Sequence, residues 1–212
     1  MSASEASSRL NALLAAAGLA PPDDEAATRF ASYLSLFLRW NERLNLSSLR
    51  DEKGVLSRHI VESISVARAL PQRIMTLLDF GSGAGLPGIP IALWRPEIAV
   101  TLAESQGKKA AFLQEVVRVL GIQAEVHVGR AEALRAVFDC VTLRAVDRMP
   151  KAVAAAIRLV APAGWLALMT TGAEIVSLRG AAGTQFSWGE PVVLPFGVDR
   201  ILALGRRVSS AA

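Results

Sequence analysis

The stretch "DFGSGAGLPG", residues 79–88, holds four glycines and one carboxylate between two apolar segments. The apolar run before it, residues 74–80, predicts a buried strand, and the pattern after it predicts a helix over 86–94. A strand, a glycine-rich turn and a helix in this order are typical of the ligand-binding edge of an open α/β sheet. Glycines allow positive φ values there and let a ligand approach the backbone. The stretch is therefore predicted to be a ligand-binding loop.

The spacing of these glycines decides between three classes of ligand. A dinucleotide loop would need a third glycine where Leu86 stands, and a nucleoside triphosphate loop would need a lysine after Gly88. The motif that stands here is D-x-G-x-G-x-G, formed by Asp79, Gly81, Gly83 and Gly85. A carboxylate ahead of the first glycine would repel a pyrophosphate. It suits a ligand with cationic groups, and S-adenosylmethionine (AdoMet) carries both an ammonium and a sulfonium.

The rest of the chain alternates between apolar strands and helices. Strands are predicted at 98–105, 124–129, 138–146 and 164–170, with helices at 107–120 and 150–160 and a short helix after the third strand. Two late runs, 190–196 and 200–208, predict an antiparallel pair. Continuously apolar strands that alternate with helices indicate an α/β fold whose sheet is mostly parallel, with an antiparallel last strand. Residues 74–212 are therefore predicted to form one sheet domain.

An N-terminal helical region is predicted over residues 1–73. Its helices are expected at 7–17, 23–44 and about 55–70, and Asp23 or Asp24 can cap the second of them. Bases outnumber acids by six to three over residues 43–73, although the net charge of the whole chain is only +4. This balance permits a nucleic-acid partner, although charge alone favours a well-solvated surface.

Two further features fit an AdoMet site. Glu104 ends the second strand, 19 residues after Gly85, where an acid can accept two hydrogen bonds from ribose hydroxyls. The segment "GRAE", residues 129–132, follows the third strand, and its backbone together with Glu132 could frame the edge of an adenine. Each feature alone is weak, because an isolated acid or turn is common on protein surfaces.

The composition of the chain argues against several other kinds of site and of protein. The single cysteine, Cys140, rules out an internal disulfide and a multi-cysteine metal site, and we expect no metal. The start "MSASEASSRL" lacks the features of a secretory signal, and no apolar run is long enough for a membrane span. We therefore expect a cytoplasmic protein without a membrane partner.

If the ligand is AdoMet, the residues that the chain lacks narrow the range of possible methyl acceptors. Cys140 lies within an apolar strand, which argues against a cysteine nucleophile. The segment "LRAVDRMP", residues 143–150, does not match the Asn/Asp-Pro-Pro-aromatic turn common in amine methylation. Acceptors with a free lone pair remain, guanine N7 among them. A small-molecule methyltransferase and a non-catalytic AdoMet-binding regulator also stay open.

Several longer motifs together resemble one known family. They are "NLSSLRD" (45–51), "VLSRHIVES" (55–63), "LLDFGSGAGLPGIPIAL" (77–93), "ESQGKKAAFLQEVVRVLG" (104–121), "GRAE" and "FDCVTLRAV" (138–146). Over about residues 36–170 the chain resembles the bacterial small-subunit rRNA guanine-N7 methyltransferases, also called glucose-inhibited division protein B. The resemblance implies a Rossmann-like methyltransferase sheet, AdoMet as donor, and a guanine of 16S rRNA, free or in the small ribosomal subunit, as acceptor.

The resemblance also implies roles for single residues. Gly81, Leu86, Ala131 and Glu132 would line the cofactor site. Arg144, at the end of the fourth strand, would face the site and act in catalysis, because its planar guanidinium can hold the methionine carboxylate or an RNA phosphate. The family more often has Asp where Glu62 and Glu104 stand, and the carboxylate is kept in both.

A second set of residues is expected to contact RNA. They are Arg50, Lys53, Arg58, His59, Lys108 and Lys109. The lysine pair opens a helix near the predicted ligand-binding edge, where phosphate contact is plausible and a solvated face equally so. His59 would contact RNA or order the loop between the helical region and the sheet, and a histidine satisfied by a local hydrogen bond explains it at least as well.

Overall fold

A computed structural model describes residues 3–49 and 51–208 of the chain. The N-terminal region consists of α1 (Ala3–Ala16), α2 (Asp24–Leu44), α3 (Glu52–Val55) and α4 (Glu62–Ala69). A π-helical turn, Leu56–Val61, joins α3 to α4, so the predicted helix over 55–70 is not a regular α-helix. The predicted cap of α2 is confirmed, because the carboxylate of Asp23 accepts a hydrogen bond from the N–H of Ala26 at 2.8 Å.

The sheet of the described residues has eight strands. They are β1 (Thr76–Phe80), β2 (Ala99–Glu104), β3 (Ala124–Val128), β4 (Phe138–Arg144), β5 (Val160–Thr171), β6 (Phe186–Trp188), β7 (Val192–Val193) and β8 (Arg200–Arg207). Their order is β3-β2-β1-β4-β5-β8-β6, and β7 also pairs with β8. Strands β1 to β5 are parallel and β8 runs antiparallel to β5. The predicted α/β class, with its antiparallel last strand, is confirmed.

Helices cover both faces of this sheet. They are α5 (Gly88–Trp94), α6 (Gly107–Leu120), α7 (Met149–Ala156) and α8 (Ile175–Ala182), with 3₁₀ turns at Ala131–Ala133 and Ile157–Leu159. The helix predicted after the third strand is only the first of these 3₁₀ turns. Of the strand predicted at 190–196, β7 and the N–H of Leu194 pair with β8, whereas Pro191 and Pro195 have no N–H to donate to a neighbour. Both α8 and β6 were missed: β6 is three residues long, and α8 carries a glycine inside its short apolar pattern.

One hydrophobic core joins the N-terminal helices to the sheet. Buried side chains of α1, α2 and α4 form a continuous cluster with those of β1, β2, α5 and α6. Apolar residues of α2 that recur at intervals of three and four face this core, with Phe30, Tyr33, Leu34 and Phe37 fully buried. A second cluster lies on the opposite face, beneath α7 and α8. The predicted boundary at residues 73 and 74 falls between α4 and β1, and its role as a domain boundary stays a prediction.

The topology brings three strand ends together at one edge of the sheet. Strand β1 lies between β2 and β4. The connection after β1 leads to one side of it, and the connection after β3 crosses to the other side. Such a switch point opens a crevice at the carboxyl ends of the strands. Here those ends are Phe80, Glu104 and Arg144. In the described parts of the chain, no helix has the length and apolar character to cross a membrane.

Candidate active site

A cleft with two lobes lies over this edge of the sheet. The first lobe has a volume of about 610 Å³ and lies over the ends of β1 to β4. The second, about 580 Å³, lies between the glycine loop and the π-helical turn. The two lobes share Gly81, Ser105, Gln106, Val146 and Asp147. They are therefore parts of one continuous cleft.

Asp79 braces the glycine loop from inside. Its carboxylate is buried and accepts hydrogen bonds from the N–H of Gly88 at 3.1 Å and from the hydroxyl of Thr142 at 3.0 Å. Burial raises the pKa of Asp79 to about 6, against the opposing effect of these hydrogen bonds. The sequence predicts that Asp79 contacts the ligand. In the structure its side chain lines neither lobe of the cleft.

The three glycines of the motif all need the conformation that glycine allows. Gly81, Gly83 and Gly85 have φ values of 73°, 55° and 82°. An added Cβ at Gly81 would lie 3.2 Å from Val146, and one at Gly85 would overlap the side chain of Ile89. Gly81 and Gly83 line the cleft, together with the predicted residue Leu86. Gly85 instead packs against the helices behind the loop.

Glu104 ties the glycine loop to the next strand end. One carboxylate oxygen accepts a hydrogen bond from the N–H of Gly83 at 2.9 Å, and the other accepts one from Gln106 at 2.7 Å. An ionised carboxylate has about four acceptor sites, so two are left for further donors. Glu104 also lines the second lobe. The side chain predicted to bind ribose thus also shapes the loop.

The first lobe combines apolar walls with a polar rim. Phe80, Ala103 and Ala131 form part of its lining, and the predicted residue Glu132 lies beside them. The carboxylate of Glu132 pairs with Arg130 at 3.2 Å. An apolar slot between strand ends with a few polar groups suits a flat heterocycle such as adenine.

Arg144 lies where β4 meets the N-terminal helices. Its side chain is only 9% exposed and donates hydrogen bonds to Glu62 at 3.0 Å and to the carbonyl of Arg58 at 2.8 Å. A nitrogen of Arg200 lies 4.0 Å from the same Glu62 oxygen. Burial raises the pKa of Glu62, against the opposing effect of these two arginines. Two arginines around one carboxyl leave net positive charge beside the second lobe, which both arginines line.

His59 packs between the loop after α2 and Arg144. Its Nε2 lies 2.7 Å from the hydroxyl of Ser47, and its Nδ1 lies 3.0 Å from a guanidinium nitrogen of Arg144. Burial, together with the nearby charge of Arg144, lowers the pKa of His59 to about 3. The imidazole is therefore neutral at physiological pH. It lines the second lobe and connects two segments at its wall.

The predicted RNA-binding residues are only partly brought together. Arg58 and Lys109 line the second lobe. Lys53 and Lys108 are exposed and line neither lobe. Arg50 lies outside the described residues. Within residues 3–49 and 51–208, no group of three His, Cys, Asp or Glu side chains is placed to hold a metal ion.

Tyr33 is a site residue that sequence analysis missed. Its buried hydroxyl donates a hydrogen bond of 2.7 Å to the carbonyl of Ala84, in the middle of the glycine loop. In the sequence, Tyr33 recurs with Phe30, Leu34 and Phe37 at helical spacing, which indicates only a buried face of α2. A signal was present, because a buried phenol needs a hydrogen-bond partner, but nothing in the sequence identifies that partner. Arg200 was missed because only the tertiary fold brings it to the cleft, whereas Asp147 follows the end of β4 and its position alone could have indicated it.

Comparison with known proteins identifies the family. Residues 26–185 match the model of the GidB family, described as rRNA small subunit methyltransferase G. A ribosomal RNA small subunit methyltransferase G from Xanthomonas campestris is 40% identical over 150 residues, 69% of this chain and 70% of the relative. Its namesake from Roseiflexus castenholzii is 38% identical over 191 residues, 82% of this chain and 80% of the relative. The chain belongs to the rRNA small subunit methyltransferase G family.

Solved structures agree on the fold. A SAM-dependent methyltransferase from Aquifex aeolicus has a TM-score of 0.60 at 16% identity, covering 78% of this chain and 97% of its own. TrmN from Thermus thermophilus has a TM-score of 0.58 at 18% identity, covering 79% of this chain and 53% of its own. The predicted family and the Rossmann-like methyltransferase sheet are confirmed. With them, the prediction of an AdoMet-dependent rRNA methyltransferase is confirmed.

The buried carboxyl of Asp79 predicts a specific pH dependence of stability. Its pKa is raised in the folded state from 3.8 to about 6. The native protein therefore favours the protonated form, and the stability this provides at low pH is lost as the pH rises through 6. We expect the free energy of unfolding of the wild type, relative to Asp79→Asn, to fall by up to about 3 kcal/mol between pH 4 and pH 7. Parallel pH profiles in urea denaturation would contradict this.

The hydrogen bond from Tyr33 predicts an effect on donor binding. Tyr33→Phe keeps the ring in the core but leaves the carbonyl of Ala84 unpaired, which costs about 1–3 kcal/mol and loosens the loop. We expect the Kd for AdoMet in calorimetric titration to rise about tenfold. Leu34→Ala is the control, since this buried neighbour makes no side-chain hydrogen bond. It should lower stability at least as much and leave the Kd unchanged, and an equal change of Kd in both variants would assign the effect to general destabilisation.

Proposed function

We propose that the chain transfers the methyl group of AdoMet to N7 of a guanine in 16S rRNA, acting on the small ribosomal subunit in the cytoplasm. The match to the rRNA small subunit methyltransferase G family over residues 26–185 carries this proposal. The cleft supports it, because its second lobe is bordered by Arg58, Lys109, Arg144 and Arg200. A small neutral acceptor would need no such concentration of positive charge, whereas an RNA backbone does.

The first lobe is proposed to hold the adenosine part of the donor. Ala131 and Glu132 would border the adenine, and the remaining acceptor sites of Glu104 would bind the ribose. The glycine loop, through Gly81, Gly83 and Leu86, would lie along the methionine part. Bound AdoMet supplies an electrophilic methyl group on a sulfonium. In this scheme Asp79 and Gly85 act indirectly, by holding the loop in shape.

The second lobe is proposed to receive the guanine. N7 carries a lone pair in the plane of the ring, so it needs no proton removed before it attacks the methyl group. Two residues that could otherwise accept a proton are not available to do so. His59 is neutral and engaged with Ser47 and Arg144, and Cys140 is fully buried, which raises the pKa of its thiol. The chain would thus contribute through positioning rather than through a general base.

Arg144 is proposed to hold an anionic group in the second lobe, which it lines. Together with Arg200 it outweighs the single carboxyl of Glu62, so the cluster attracts an anion. The methionine carboxylate and an RNA phosphate both fit a planar guanidinium. Glu62 and the carbonyl of Arg58 fix the orientation of this guanidinium, which limits the entropy lost on binding.

The acceptor atom can be tested directly. Small subunits from cells that lack the gene are incubated with the protein and AdoMet, and the 16S rRNA is treated with borohydride and aniline, which cleave at N7-methylguanine. We expect cleavage at one guanine. The rate of the chemical step should be flat between about pH 7 and pH 8.5, because Asp79 and His59 titrate below this range. A methyl group on an exocyclic amine or a ring carbon would refute the proposal.

The role of Arg144 predicts a split between activity and stability. Arg144→Ala would leave the buried Glu62 with only its longer contact to Arg200 and destabilise the fold by up to about 3–5 kcal/mol. Arg144→Lys keeps the charge and the pairing but loses the two-pronged geometry. We expect it to stay folded in thermal denaturation and to lose at least about tenfold in kcat/KM. Full activity of the lysine variant would show that the planar guanidinium of Arg144 is not needed to hold an anionic group.

A further inference from the structure

Phe196 is unusual among the aromatic residues of this chain. The chain has seven Phe, four Trp and one Tyr, and all twelve lie in the described residues. Phe196 alone among them is exposed, with 43% of its surface accessible. Val198, two residues later, is 93% exposed. We call Phe196 and Val198 the apolar tip of the β7–β8 loop. Exposed apolar groups that cluster beside a functional cleft mark a contact surface.

The loop that carries the apolar tip lies at the rim of the second lobe. Strand β8 begins at Arg200, which pairs with Thr171 at the carboxyl end of β5, so the loop is on the same edge of the sheet as the cleft. An added Cβ on Gly197 would lie 3.0 Å from a carboxylate oxygen of Glu62. Arg200, directly after the loop, lines the second lobe. The apolar tip therefore stands beside the proposed entrance for the acceptor.

The loop is also held in one shape. The N–H of Leu194 donates to the carbonyl of Arg200 at 2.9 Å, and the N–H of Gly172 donates to the carbonyl of Asp199 at 3.3 Å. Phe196 and Asp199 have left-handed φ values of 62° and 53°, which non-glycine residues seldom adopt. A shape defined before binding reduces the entropy lost when a partner docks.

We propose that the apolar tip is an rRNA contact, in which Phe196 stacks on an unpaired base next to the acceptor guanine and Val198 packs against the same strand. This proposal rests on the proposed function. A base that enters the second lobe must leave its own stack, and this uncovers the face of a neighbouring base. Aromatic side chains recognise unpaired bases by stacking, without a requirement for sequence.

Charge favours RNA over an apolar protein partner at this surface. Arg58, Lys109 and Arg200 line the second lobe, and Arg200 directly follows the loop. Proteins that bind single-stranded nucleic acid usually combine aromatic side chains, which stack on nucleobases, with Lys and Arg side chains, which attract phosphates. A hydrophobic protein interface would be expected to avoid charge at its centre.

The contact is tested by kinetics on small subunits from cells that lack the gene. For Phe196→Ala we expect the KM for the subunit to rise about tenfold, with kcat and the Kd for AdoMet close to wild type. Phe196→Trp should restore the KM, since another aromatic ring can stack. Val137→Ser is the matched control, because Val137 is 52% exposed but precedes β4 at the opposite edge of the sheet. It should leave the KM unchanged.

A photoreactive benzoylphenylalanine in place of Val198 identifies what the tip touches. A crosslink to 16S rRNA supports the proposal, whereas a crosslink only to a ribosomal protein, or none, overturns it. An unchanged KM in Phe196→Ala, or no rescue by Phe196→Trp, also overturns it. Failure of the proposed function is a separate result: the wild type would then produce no N7-methylguanine on the same subunits.

Discussion

The candidate site depends on the shape of the glycine-rich loop, which buried side chains stabilise in addition to the hydrogen bonds within the loop itself. Three buried groups do so from three parts of the fold. Asp79 accepts the N–H of Gly88 from beneath the loop, Glu104 accepts the N–H of Gly83 from the neighbouring strand end, and Tyr33 donates to the loop from α2. Each provides a hydrogen bond that water would compete for on an open surface. Burial makes the loss of any one costly.

The N-terminal helices therefore belong to the site. They supply Tyr33 to the glycine loop, and the Arg58 carbonyl, His59 and Glu62 to Arg144. The π-helical turn lies at this second contact, as such turns often do at functional sites. It brings groups on consecutive turns of the helix to one guanidinium. The strand end and the helical region thereby share one buried charged cluster.

Local signals were enough to predict the frame of the site. The glycine spacing, the acid after the second strand and the cap at Asp23 depend on neighbours in sequence, and the structure places each on its predicted element. The partners of Tyr33 and Arg144 depend on packing between elements far apart in the chain, so no local pattern identifies them. The π-helical turn was missed for a related reason: residues 52–69 have an apolar pattern that an uninterrupted α-helix also satisfies.

We propose that one cleft holds donor and acceptor side by side. The glycine loop lines this cleft on one side and packs against the helices on the other. An experimental structure with S-adenosylhomocysteine, the product form of the donor, tests this proposal most directly. The account predicts adenine in the lobe bordered by Ala131 and Glu132, the amino-acid end beside Gly81, and intact hydrogen bonds from Tyr33 to Ala84 and from Gly83 to Glu104. A ligand bound elsewhere, or a loop that abandons these hydrogen bonds, would contradict it.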